Sequence, residues 1–187
     1  MSILCALQAP AIYEGIITML EELREQIRQI RQAEEDLNNP SDARQLDLIV
    51  SAWRDVQKHP DFDRLSSEDR AWLLAECAQY QAQLGFARQS LSEIDQALEH
   101  YERASAITPD SEDRSRYIIA QARALRLRFA LSDDIADLDR AIAKAKQVAS
   151  TTEAGSIALH YSRVEIANAF AERYRKGDNL SDLDESI

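Results

Sequence analysis

The 187-residue chain is poor in the residues that interrupt helices. Gly and Pro number four each, about 4% of the chain where roughly 12% is usual. That scarcity excludes collagen-like and low-complexity structure. Val and Thr also number four each, against 28 Ala. Such a balance starves strands and favours helices. Cysteine is limited to Cys5 and Cys77, far apart and without a CxxC or Cys/His grouping. A structural zinc site is therefore not expected, and inert thiols in a reducing compartment are. The four glycines, at 15, 85, 155 and 177, are scattered. No GxGxxG, GxxxxGK[ST], GxSxG or HExxH occurs, so no phosphate-cradling loop or familiar catalytic motif can be assembled. His59, His100 and His160 stand singly in the sequence. No catalytic residue, metal or cofactor is expected.

Long apolar runs are missing as well. The opening MSILCALQAPAIYEGIITML lacks a basic leader and carries Glu14, which fits a secretory signal poorly. No stretch of about 18 uncharged apolar residues is present. A cytoplasmic protein is the expectation. The net charge of −11 comes from 33 acids and 22 bases. A surface this acidic repels nucleic acid and anionic membrane, so neither is an expected partner.

What the chain does hold is repetition. Ser92-Glu93-Ile94-Asp95-Gln96-Ala97-Leu98, Ala136-Asp137-Leu138-Asp139-Arg140-Ala141-Ile142 and Ser181-Asp182-Leu183-Asp184-Glu185-Ser186-Ile187 read alike. Their shared Asp recurs after 44 and then 45 residues, and a weaker copy stands at Leu46-Asp47-Leu48-Ile49-Val50. The preceding segments match too, with residues 122–129 lying over 167–174. A fixed period of this length is the signature of a stacked repeat. Each unit holds two helices. The first begins near a Ser/Asp/Glu cluster, at residues 66–69 and 110–113, suited to capping. The second begins at the Asp-Leu-Asp motif, whose recurrence reads as helix capping and loop geometry rather than a metal site. Val50, Trp53 and Val56 correspond to Leu98, Tyr101 and Ala104, then to Ile142, Ala145 and Val148, one apolar stripe per second helix. Pro60 and Pro109 follow two of these helices as stops, and Gly177 suits a left-handed C-cap in the last unit.

The opening helix, about Ala11 to Asp36, has a different rhythm. Ile16, Leu20, Leu23, Ile27 and Ile30 are spaced 4, 3, 4, 3, a seam of barely two heptads. It reads as a capping or first-repeat helix packed on the array, with dimerisation as the alternative. The organisation is therefore residues 1–40 as that helix and residues 41–187 as the array. Its units are about 41–66, 67–110, 111–153 and 154–187.

Leu84-Gly85, Ala87, Ile94, Ala97, Leu98, Tyr101, Ala104 and Pro109 resemble the tetratricopeptide repeat. The Asp-Leu-Asp segments at 137–142 and 177–187 are similar to the longer, 44-residue units of that family in multidomain proteins. Such arrays often accompany CHAT-type proteases or NTPase signalling modules. The resemblance covers about residues 40–187. Ala122 and Ala167 replace the first-helix Gly, and Tyr80 stands where later units have Ala124 and Ala169. The resemblance implies an all-α, right-handed array of helical hairpins. Its concave face is formed mostly by first helices. The last unit stops one turn into its second helix. An apolar, uncapped end points to a piece of a longer array or to a natural end that packs on a partner.

One local feature stands out. From Arg114 to Phe129 there are five arginines (114, 116, 123, 126, 128) and no acid, while residues 61–113 carry −8. Arg116, Arg123 and Arg126 share a helix face by their spacing of 7 and 3. By the family pattern, Arg123 takes the groove position that Gln79 and Asn168 hold in neighbouring units, with Gln83 beside Gln79. Guanidinium forks suit carboxylates. Two readings stay open here, a groove for an acidic or C-terminal-carboxylate peptide and a solvated ion network with adjacent helices. A non-catalytic protein–protein interaction scaffold is the leading expectation. The alternative is the regulatory segment of a larger signalling enzyme, such as a CHAT-type protease. Self-association through the N-terminal helix or the C-terminal end is a further expectation.

Overall fold

The computed structural model describes residues 9–35, 42–109 and 112–177, with the side chains of the first helix described from Glu21 on except that of Arg24. Cys5, the side chains of Ile16 and Leu20, the Asp110-Ser111 pair and the 181–187 copy of the repeated motif lie outside the described residues. Most of the described residues are helical, and no strand occurs among them. The helices are α1 (Ala9–Glu35), α2 (Ala43–Lys58), α3 (Ser67–Arg88), α4 (Leu91–Ile107), α5 (Glu112–Ser132), α6 (Ile135–Thr151) and α7 (Ile157–Gly177), with a 3-10 turn at Phe62–Arg64.

The chain's own polar residues set the helix starts. Asp42 accepts from the amides of Arg44 and Gln45. Ser66 accepts from Asp69, Ser90 from Glu93, Asp134 from Ala136 and Ser156 from Leu159. Each satisfies an amide that the first turn leaves without a partner. The Asp-Leu-Asp motifs therefore begin helices, but they are not the caps. The caps at Ser90 and Asp134 precede them. Asp137 is in the first turn of α6 and fully buried, receiving Arg128, Arg140 and the Ser132 hydroxyl. The second Asp of each motif faces the next hairpin. Asp95 pairs with Arg128 at 2.7 Å and Asp139 with Arg173 at 2.5 Å. These two links repeat at the sequence period. A similar link joins Asp47 of α2 to Arg88 of α3 at 3.0 Å.

Helix ends follow local chemistry. His59 and Thr108, each just before a proline, leave α2 and α4 in extended conformation, as a residue preceding proline must. Positive φ occurs at Gln89, Asp133 and Gly155 among the described residues. The expected left-handed cap at Gly177 is not formed, and that glycine is simply the last residue of α7. The left-handed positions fall instead on Gln89 and Asp133, in the two-residue turns that close the α3–α4 and α5–α6 hairpins.

Consecutive helices pack on one another along the chain, and α3 also touches α5, and α5 touches α7. The apolar stripes of the second helices are consumed by this packing. Val50, Trp53, Val56, Tyr101, Ala104, Ile142, Ala145 and Val148 are all buried. At Gly85 α3 and α4 approach closely: an added Cβ would lie 2.7 Å from Ile94 Cγ1 and 3.0 Å from the Ile94 nitrogen. A side chain there would hold α3 and α4 apart. On α1, Leu23 and Ile30 are buried and Ile27 packs partly against the same core. The described half of the 4-3 seam is thus used within the chain. Arg31 joins it, lying over the rings of Trp53 and Trp72 while bonded to Glu34 and Glu76. This cluster ties α1 to both α2 and α3.

Candidate functional site

The first helices α3, α5 and α7 carry all the residues singled out by the sequence. On α3, Gln79 and Gln83 are one helical turn apart and share a stripe with Phe86, which is half exposed. Across from them, α5 presents Arg123 and Leu127. Gln79, Gln83, Arg123 and Leu127, with Tyr101 of α4 behind them, line a groove of about 240 Å³. Three of the six predicted residues therefore meet in one place, and Phe86 follows on the same stripe of α3 by its spacing. Sequence reasoning missed Phe86, although its spacing of 3 from Gln83 and 7 from Gln79 was the available signal.

The other three lie elsewhere. Asn168 is exposed on α7. Arg116 bonds Glu112 and Asp113 one turn earlier in its own helix, at 3.3 and 3.4 Å, so it turns away from the groove's chemistry. Arg126 is largely buried. It gives 2.6 Å to Glu165 and 2.5 Å to Glu172 of α7. Burial works against its charge, yet the hydrogen bonds it donates to Glu172 and Glu165 outweigh that and raise its pKa. Arg123 donates through Nε and an Nη to the same Glu165, at 3.1 and 3.0 Å, while 58% of its side chain stays exposed. Glu165 is buried, and a buried carboxylate persists only when paired. The basic window of the sequence is thus neutralised in the fold. Arg116, Arg123, Arg126 and Arg128 each hold at least one acid, and the last three reach it on another helix.

A second polar cluster could not be anticipated from spacing. Gln81 of α3 is fully buried. Its amide donates 3.2 Å to Glu93 and 2.9 Å to Gln96 of α4, and Arg54 of α2 reaches the same two side chains at 2.7 and 3.0 Å. With its nitrogen so used, Gln81 Oε1 is the acceptor, and His100 Nδ1 donates to it at 3.0 Å. Cys77 Sγ lies 4.0 Å from the same oxygen. Burial and the neighbouring Arg103 lower the His100 pKa. Burial pushes the Cys77 thiol up to about 11. A neutral imidazole and a protonated thiol are the states this cluster favours, which suits packing rather than nucleophilic chemistry. The described residues contain no group of three or more His, Cys, Asp or Glu able to hold a metal ion. None of the described helices is long and apolar enough to cross a membrane.

What the site offers chemically is two primary amides and an exposed aromatic ring on α3 and the open edge of a guanidinium on α5. Comparison with protein-family models, with curated proteins and with solved structures finds no match to the chain.

Proposed function

We propose that the chain is a non-catalytic protein–protein interaction scaffold, built as a tetratricopeptide-like right-handed array, that binds a partner peptide or domain along the face formed by its first helices. The observation that carries this reading is the convergence of Gln79, Gln83 and Arg123 in one groove, with Phe86 exposed on the same stripe. Amides read an extended backbone, and an exposed aromatic supplies the anchor that dominates small interfaces. The commitment of Arg126 to Glu165 and Glu172 narrows the acidic-peptide version. Carboxylate recognition there rests on the exposed part of Arg123 alone.

Selection of a displayed peptide library on the immobilised chain tests the proposal. Peptides enriched on the wild type should lose at least tenfold in affinity on Gln83→Arg and Phe86→Ala, with the helical spectrum unchanged. Enriched peptides that bind both variants as well as the wild type refute the assignment of this face.

A further inference from the structure

The groove between α3 and α5 has one polar group on its floor without a counterpart. Tyr101 reaches it from α4 and is only 6% exposed, and what remains open of it lines the groove. No hydrogen bond joins its hydroxyl to any of the described residues. Burial pushes the phenol's pKa up, Arg123 works against that, and Glu76 adds to it. The hydroxyl therefore sits within the field of the guanidinium on the α5 side. A phenol can donate and accept, and a buried polar group is costly while it stays unpaired. Gln79 and Gln83 also make no side-chain hydrogen bond among the described residues, so each amide keeps a donor and an acceptor for a ligand. Ala82, Ala120 and Ala124 line the same space, and their small side chains leave room for one from a partner.

Charge decides which side chain that is. Arg123 and Arg126 face Glu165 and Glu172, two bases against two acids. Arg31 is shared by Glu34 and Glu76, so acid is in excess on the other side of Tyr101. A carboxylate entering the groove thus meets no surplus of positive charge. An ammonium meets the open edge of Arg123. An apolar side chain shuts water away from the Tyr101 hydroxyl and gives it nothing in return. The group that fits is uncharged and carries both an acceptor and donors.

We infer that the groove takes the primary amide of an asparagine or glutamine side chain in the bound peptide, and that Tyr101 sets this specificity. The amide oxygen accepts from the Tyr101 hydroxyl and the free edge of Arg123, and its nitrogen donates to Gln79 or Gln83. A carboxylate has the same shape but lacks the donors and brings a charge. Sites built from buried polar groups discriminate on that difference. The inference rests on the reading of this face as a peptide groove and adds which residue it selects.

Peptides selected by display on the full chain test it. Those that lose affinity on Gln83→Arg and Phe86→Ala should share an Asn or Gln at one position. Replacing that residue with the matching acid should weaken binding by roughly tenfold. Tyr101→Phe should weaken the amide peptide by roughly tenfold and leave unchanged a peptide with alanine at that position. In the free chain Tyr101→Phe should keep or raise the Tm, because the hydroxyl has no partner to lose. Peptides that need Gln83 and Phe86 yet tolerate the acid, or bind the Tyr101→Phe chain as well as the wild type, overturn this inference and leave the groove reading standing. A Tyr101→Phe chain with a lowered Tm overturns it as well, since the hydroxyl is then already paired. Peptides indifferent to Gln83→Arg and Phe86→Ala, or a selection that enriches none, overturn both.

Discussion

Replacing Gly85 with alanine sets two effects of known size against each other. In a helix interior alanine is favoured over glycine by about 1 kcal/mol. On an exposed helix face this substitution would therefore stabilise. At Gly85 the new methyl meets Ile94 Cγ1 at 2.7 Å and the Ile94 backbone nitrogen at 3.0 Å. Ile94 is fully buried, so its side chain has nowhere to retreat, and a backbone atom cannot rotate away. Relief requires α4 to shift, with overpacking penalties of about 1–3 kcal/mol. Above the low end of that range the clash wins, with a net loss of up to about 2 kcal/mol. For a chain of this size that is a fall in Tm of up to about 8 °C, since each kcal/mol is worth about 2–4 °C. Urea denaturation should show a lower midpoint at unchanged slope. The cause is isolated by a double-mutant cycle. Ile94→Ala alone costs about 2–5 kcal/mol through its cavity. Combined with Gly85→Ala, it should cost about 1 kcal/mol less than the sum, because each change relieves the other. A Gly85→Ala chain more stable than wild type, or strict additivity in the cycle, refutes the reasoning.

Three further outcomes follow from the polar clusters. Glu165→Gln leaves Arg126 with Glu172 and returns the half-exposed Arg123 to solvent, so the loss is held to about 1–3 kcal/mol, below that of an isolated buried pair; thermal unfolding monitored by circular dichroism measures it, and an unchanged Tm refutes it. His100 has a folded pKa below its ordinary value, so the unfolded chain binds the proton more readily. Its contribution is complete above about pH 6.5 and is lost as pH falls from there through the folded value. His100→Gln should flatten the pH dependence of urea stability in that window, and an identical slope in both chains contradicts it. With its pKa pushed up to about 11 and its side chain buried, Cys77 should resist a thiol reagent at pH 8 in a Cys5→Ser chain and react fully in denaturant; prompt labelling of the folded protein contradicts this.

Helix positions were legible because their signals are local. Period-three apolar stripes, Ser and Asp caps and prolines after α2 and α4 each act within a few residues. The Asp-Leu-Asp motif was misread for a related reason. Its position at a helix start is local, but its work is not, since Asp137 answers Arg128 and Asp95 and Asp139 reach the next hairpin. Sequence shows the period of such links without their partners. The basic window left two readings open, and the fold takes the ion network with adjacent helices. Five arginines without an acid between them form a positive patch on paper, and Glu165 and Glu172, about 40 residues later, cancel it in space. The Gln81 cluster was invisible. Arg54, Gln81, Glu93, Gln96 and His100 come from three helices, and nothing in their spacing requires amides and an imidazole to meet. Gly85 shows the converse, where a residue noted for its place in a motif has a physical reason in a 2.7 Å approach.

Arg128 grips two hairpins at once, Asp95 behind it and Asp137 ahead. In a chain whose helices touch only near neighbours, melting begins at an end and advances as a boundary between ordered and disordered turns. Each such boundary has to pass a joint. Where one guanidinium is shared by both sides, a boundary between α4 and α6 breaks its bond to Asp95 or to the buried Asp137, which keeps Arg140 and Ser132. The middle of the chain should therefore exchange its amide hydrogens as one block, while the outer helices fray separately. Arg128→Met would split that block, and the exchange map of α4 and α6 would then show two rates in place of one.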